Sequence, residues 1–178
     1  MSTAIFLVIG MLMVSFQTTI LQFFPSWLGS PDLVFVLVAF IAYRFDWLRG
    51  GFLAITLGWM MDVTSGIYLG AYLIEYLLIF VGLRTITVNS PLRESAYQVP
   101  MVGLSYFIAQ FVFYCVLSMT VSDSLSPWSW SEILRKTIIL TVATIPCFLL
   151  FNSLFEYLQK RKAAARVARR KGINRFRQ

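Results

Sequence analysis

Residues 4–24 form a stretch with no charged side chain, and five more apolar stretches follow, at 31–43, 50–61, 67–83, 97–121 and 133–157. A membrane-crossing helix needs about 20 apolar residues, or roughly 17 if it stands upright. The first, fourth, fifth and sixth stretches meet that need alone. The second and third are short and qualify only if their polar ends, 44–48 and 62–65, serve as interfacial turns. The balance of the chain points the same way. Of its 178 residues 58% are hydrophobic and 13% charged, whereas a soluble domain carries about 25% charged residues. Too few charges are present to clothe a water-soluble globule, so the expected solvent of this fold is lipid.

The connecting segments favour keeping all six spans. Lys and Arg collect in cytoplasmic loops. The segment FFPSWLGS after span one has no basic residue, whereas YRFDWLRG after span two contains Arg44 and Arg49. The turn VTSG after span three has none, the connection after span four holds Arg84 and Arg93, and SDSLSPWSWSE after span five has acids only. Past span six come Lys160, Arg161, Lys162, Arg166, Arg169, Arg170, Lys171, Arg175 and Arg177, with no acid among them. The alternation fits an all-α integral membrane protein of six transmembrane helices with both termini in the cytoplasm. It divides the chain into a six-helix membrane domain, 1–158, and a basic cytoplasmic tail, 159–178. The first stretch lacks a basic leader and an A-x-A cleavage pattern, so it reads as a retained helix rather than a signal peptide.

The chemistry that is missing narrows the function. With no His in the chain, a His base, a His metal site and a Ser-His-Asp triad are excluded. Cys115 and Cys147 lie singly within spans, where a free Cys behaves as a small hydrophobe. No phosphate-cradling G-x-x-x-x-G-K or G-x-G-x-x-G loop occurs. Neither a cofactor nor a catalytic residue is expected.

Two carboxylates then stand out, Asp62 and Glu75, within LGWMMDVTSGIYLGAYLIEYLL. Stepping back by fours from Asp62 gives Gly58, Ala54 and Gly50, and stepping forward gives Gly66 and Gly70, so span three carries a strip of small residues along one face. Such strips let membrane helices approach closely. Asp62 at the end of the strip reads as a cap on the start of span four, with coordination of a polar partner as the alternative. Glu75 lies deeper, where an ionised carboxylate costs at least ~2.5 kcal/mol. It is therefore expected to face the bundle or a wet cavity, with Gln17, Gln110 and Asn152 as candidate partners. An interhelical hydrogen bond, a proton or substrate site, and contact with another protein's helix all remain open for it. Pro31 and Asp32 open span two as a well-made helix start. Trp128 and Trp130 in the last outer loop suit either a headgroup anchor or a docking loop.

Taken in order, Pro31–Asp32, the Gly51–Phe52 pair, Asp62, Gly66, Leu69–Gly70 and Ala71 resemble the MreD family of bacterial rod shape-determining proteins. The likeness in motif covers the first half of the chain; the second half agrees in length, span count and topology. The resemblance implies a non-enzymatic inner-membrane subunit of the machinery that builds lateral peptidoglycan, working beside MreC, the MreB filament and the RodA–transpeptidase synthase pair. It also implies a fold similar to the substrate-binding subunits of energy-coupling-factor vitamin transporters, which supplies the rival reading of a subunit that captures a small molecule. Glu75 departs from the family's pattern, and the tail is longer than the family requires.

The tail carries its own expectation. Each basic residue near an anionic membrane surface gains about 1 kcal/mol, and nothing in the sequence resembles a base-reading nucleic-acid module. Anionic lipid is thus the expected partner of the tail, with a cytoplasmic filament as the alternative. A peptide spanning 160–178 should bind vesicles containing anionic lipid, release from them as salt rises, and bind neutral vesicles weakly. Equal binding to both vesicle types would refute the electrostatic account.

Overall fold

One helix is enclosed by all the others. In the computed structural model, which describes residues 2–19, 32–66, 69–89, 95–120 and 129–175, helix α2 (Leu33–Arg44) has every residue from Val34 to Tyr43 buried. A helix apolar on all sides has no face suited to water and belongs in an interior. Around it pack α1 (Ser2–Thr19), α3 (Trp47–Ser65), α4 (Ala71–Asn89), α5 (Ser95–Thr120) and α6 (Trp130–Arg175). Among the described residues the chain is entirely helical. With 12 residues, α2 is only about 18 Å long, well short of a hydrocarbon layer of about 30 Å. Its neighbours shield it, so its length need not match the bilayer.

Rings fasten this hub to its neighbours. Phe40 of α2 stacks on Phe6 of α1 with centroids 5.8 Å apart, and meets Phe148, Phe151 and Phe155 of α6 at 5.6, 5.4 and 6.3 Å. Nearer the other end of α2, Phe35 packs edge-on against Tyr76 of α4 and Tyr106 of α5. Such pairs add about 0.5–1.5 kcal/mol each beyond the area they bury.

The outward surface is apolar as well. Leu12, Phe52, Trp59, Leu78, Ile138 and Leu149 are all exposed, a pattern that lipid solvates and water does not. Three helices are long and apolar enough to cross a membrane, over Ala71–Val88, Tyr97–Val116 and Trp130–Arg161, while Thr3–Thr19 and Leu33–Arg44 are shorter apolar helices. The hydroxyls in these segments turn back on their own helices: Thr87 donates to the Leu83 carbonyl at 2.6 Å, Thr141 to Thr137 at 2.7 Å and Thr144 to Leu140 at 2.8 Å. In a solvent without hydrogen-bonding capacity this is how a hydroxyl is satisfied.

Several boundaries differ from those read in the sequence. Helix α3 begins at Trp47, ahead of the apolar stretch at 50–61, because Asp46 opens it and the Gly50 N–H donates to the Asp46 carbonyl at 2.8 Å. Helix α4 begins at Ala71, four residues later than the apolar stretch at 67–83, and continues through the polar Thr85 and Thr87 to Asn89. Gly66 and Gly70 explain the shift: both have positive φ, 63° and 94°, a region where only glycine sits without strain. Helix α6 passes residue 159 without a break and runs to Arg175, so the basic tail continues a helix that is long and apolar enough to cross a membrane.

The small-residue strip of α3 lies along α4. Gly50 abuts the ring of Phe80, Ala54 is fully buried, and a Cβ placed on Gly58 would lie 2.6 Å from the Leu73 Cα and 3.1 Å from the Tyr72 carbonyl oxygen. A Cβ placed on Gly51, one residue along, would meet Phe80 at an ordinary 3.7 Å. Backbone meets backbone at Gly58, so no rotamer change relieves added bulk there. Gly58→Ala should lower the unfolding midpoint in detergent, by the equivalent of roughly 1–3 kcal/mol, and Gly58→Leu should lower it further. Gly82→Ala, where a Cβ meets nothing within 4 Å, should be neutral or slightly stabilising, since Ala is the better helix former. Equal effects at the two glycines would contradict the packing described.

Candidate functional site

The ends of α1 and α3 and the starts of α2 and α4 come together at one end of the bundle, and the carboxylates gather there. A helix start leaves its first N–H groups without intrahelical acceptors; in an apolar setting each must find another. For α2 they are found in full. The Leu33 and Val34 N–H groups donate to Gln17 Oε1 at 3.0 and 3.3 Å, Phe35 N–H donates to Asp32 Oδ1 at 3.0 Å, and Val36 N–H reaches the Asp32 carbonyl at 3.4 Å. Gln17 Nε2 then donates to Asp32 Oδ1 at 3.3 Å. The Tyr76 hydroxyl of α4 bridges both Asp32 carboxylate oxygens, at 3.1 and 2.9 Å. One carboxylate thereby ties α1, α2 and α4 together.

Helix α4 is started by a residue from outside it. Asp62, in the last turn of α3 and 2% exposed, accepts the Tyr72 N–H at 2.9 Å through Oδ1 and the Leu73 N–H at 3.2 Å through Oδ2. Ile74 N–H reaches the Gly70 carbonyl at 3.0 Å. The carbonyl of the same Asp62 receives the Gly66 N–H at 3.1 Å, closing α3 with Gly66 in the left-handed conformation. Asp62 ends one helix with its backbone and begins the next with its side chain. Gly58 is what makes this possible, since it brings the two helices close enough for the carboxylate to reach.

Glu75 is bound more loosely. It is buried, with 6% exposure, and accepts from Gln110 Nε2 of α5 at 3.4 Å. The other partners considered for it are engaged elsewhere. Gln17 belongs to Asp32, and Asn152 accepts from Arg44 Nη2 at 2.6 Å, at the opposite end of the bundle. The signal that Asp32 would collect these donors was present in its place just ahead of an apolar helix, but no spacing in the sequence announces that Tyr76 and Gln17 reach it. Trp130 opens α6, exposed, with its ring against Phe107 at 6.4 Å. Pro31 and Trp128 lie outside the described residues.

The site holds carboxylates, amides and phenols, and among the described residues no three His, Cys, Asp or Glu side chains converge as a metal site would require. Its groups are arranged to accept hydrogen bonds from helix starts and to cross-link helices. Compared with known proteins, the chain matches no family model, no curated protein and no solved structure.

Two substitutions probe this arrangement. Asp62→Ala strands the Tyr72 and Leu73 N–H groups and should destabilise the protein by about 1–2 kcal/mol, while Asp62→Asn, which keeps one accepting oxygen, should do so by less. Tyr76→Phe should also destabilise, by roughly 1–3 kcal/mol, because a buried acceptor loses its hydroxyl partner. Thermal unfolding in a single detergent would order the variants, and an unfolding midpoint for Asp62→Ala equal to that of the parent would show that the cap does not hold α4.

Proposed function

We propose that this protein is a non-enzymatic, multi-pass subunit of the bacterial inner membrane that serves the cell-elongation complex, in the manner of the MreD family. In this reading it crosses the membrane six times with both termini in the cytoplasm. The charge alternation of its loops supports that topology. The observation that carries the functional reading is the use to which the carboxylate cluster is put. Asp32 takes donors from Phe35, Tyr76 and Gln17, and Asp62 takes two from the start of α4, so each is occupied by the chain's own groups. A capture site needs polar groups left free for a ligand; these are spent on bracing helices. Of the residues of the resemblance that fall in the described segments, Asp32, Asp62, Gly66, Gly70 and Ala71 lie in or beside this brace, whereas Gly51 lies toward the start of α3 near Phe80. A rigid bundle with an apolar outer surface is suited to docking the membrane helices and loops of MreC, the MreB filament and the RodA–transpeptidase pair, while the basic end of α6 adheres to anionic lipid.

A second reading, capture of a small molecule as in vitamin transporters, is favoured by Glu75 alone, whose one hydrogen bond among the described residues, a long one to Gln110, leaves acceptor capacity in a buried place. Purification in mild detergent separates the two. Recovery of MreC with the protein supports the elongation role, whereas recovery of an ATPase and a bound vitamin would replace it with transport. Glu75→Gln should leave complex formation and cell shape unchanged. Loss of function in a folded Glu75→Gln variant would point to a charge-dependent ligand instead. For topology, single cysteines placed at 122–131 should react with a membrane-impermeant reagent added from outside, and cysteines at 160–178 should not; labelling of the latter would exclude the six-span arrangement.

A further inference from the structure

At the end of the bundle away from the carboxylates, Arg84 is held in an unusual way. It lies in the fourth turn of α4, and its Nη1 donates to the Ala42 carbonyl near the close of α2 at 3.4 Å. Its Nε is buried and has no hydrogen-bond partner. Among the described residues no carboxylate pairs with it. A cation near a helix C-terminus complements the dipole and the free carbonyls there, and that accounts for the Ala42 contact. It does not account for the remainder of the guanidinium, which has five N–H donors and, among the described residues, employs one at the long limit of a hydrogen bond. In this rotamer Nε is shut away from its surroundings, so it gains an acceptor only when the half-buried side chain turns outward.

The depth of Arg84 can be read from its neighbours. Phe80, one turn earlier on α4, meets the ring of Trp47 edge-on with centroids 6.0 Å apart. Trp47 and Leu48, at the start of α3, are both exposed, as are Arg44 and Arg49. Tryptophan settles in the headgroup layer of a bilayer, and basic pockets between helices at that level accept anionic headgroups. A guanidinium is also the side chain whose planar fork fits a phosphate with two parallel hydrogen bonds.

We propose that Arg84 anchors a binding site for a phosphate group at this end of the bundle, with the headgroup of an anionic phospholipid as its expected bearer. For this the flexible stem turns so that Nε and one Nη meet the oxyanion side-on. The charge of Arg84 is then neutralised and its stranded donor satisfied. This inference is independent of the elongation role.

The full chain, purified in detergent, would be titrated with phosphatidylglycerol and, in parallel, with diacylglycerol, which lacks the phosphate, and bound lipids counted by native mass spectrometry. The wild type should retain one phosphatidylglycerol in preference to diacylglycerol. Arg84→Gln should weaken that retention about tenfold or more, the loss expected for a charged hydrogen-bond pair, and Arg84→Lys should fall between. Inorganic phosphate tells the two sources apart. If millimolar phosphate leaves the lipid bound, the site belongs to a lipid headgroup. If it displaces the lipid and itself raises the unfolding midpoint of the wild type but not of Arg84→Lys, the same site takes the free anion. Equal retention of the two lipids by the wild type would overturn the proposal, and so would wild-type retention of phosphatidylglycerol by a folded Arg84→Gln. If Arg84→Gln does not fold, the wild-type lipid comparison and Arg84→Lys decide.

Discussion

A helix that begins inside an apolar bundle arrives with unpaired N–H groups, and nothing in lipid can take them. The fold depends on how this chain meets that demand. Asp32 and Gln17 receive the start of α2, and Asp62 receives the start of α4. Each uses a side chain to settle a backbone debt, and in each case the solution reaches across elements. The arrangement therefore does more than cap. Gln17 fixes α1 against α2, Tyr76 fixes α4 against α2 through Asp32, and Asp62 fixes α3 against α4. The same bonds that make the helices possible set how they pack.

Close approach supports these bonds. The glycine at position 58 lets α3 and α4 touch backbone to backbone, and only from that distance does the Asp62 carboxylate reach two N–H groups of the next helix. Gly66 and Gly70 then turn the chain within a few residues by adopting positive φ. Strip, carboxylate and turn form one unit.

Much of this was legible in the sequence, and what was not has identifiable causes. Runs of apolar residues locate helices well because desolvation is a bulk property, so each of the six stretches overlaps one helix. They locate ends poorly, because ends are decided by single residues. Asp46 extends α3 backwards through Trp47, and Gly66 and Gly70 delay α4 until Ala71. The four-residue spacing from Gly50 to Asp62 marked a packing face, since helical periodicity is written locally. Asp32 was marked as a helix start, but its cluster was not. Its members, Gln17, Asp32 and Tyr76, are brought together by tertiary packing across three helices, and no local pattern encodes that. Arg84 was hidden for the same reason: as a basic residue at a helix end it looked like part of the charge bias of a loop, and only its stranded Nε distinguishes it.

The enclosure of α2 has a consequence for how freely this sequence can vary. A helix with one buried face repeats its intolerance every three to four residues, leaving the intervening positions open to exchange. Val34 to Tyr43 touch neighbours on every side, so there is no open position between them, and bulk, branching and polarity are constrained at each step. A map of permitted substitutions along the chain would show a rhythm in the surrounding helices and an unbroken band across α2. The shortest helix of the bundle is thus the one with the least room for drift.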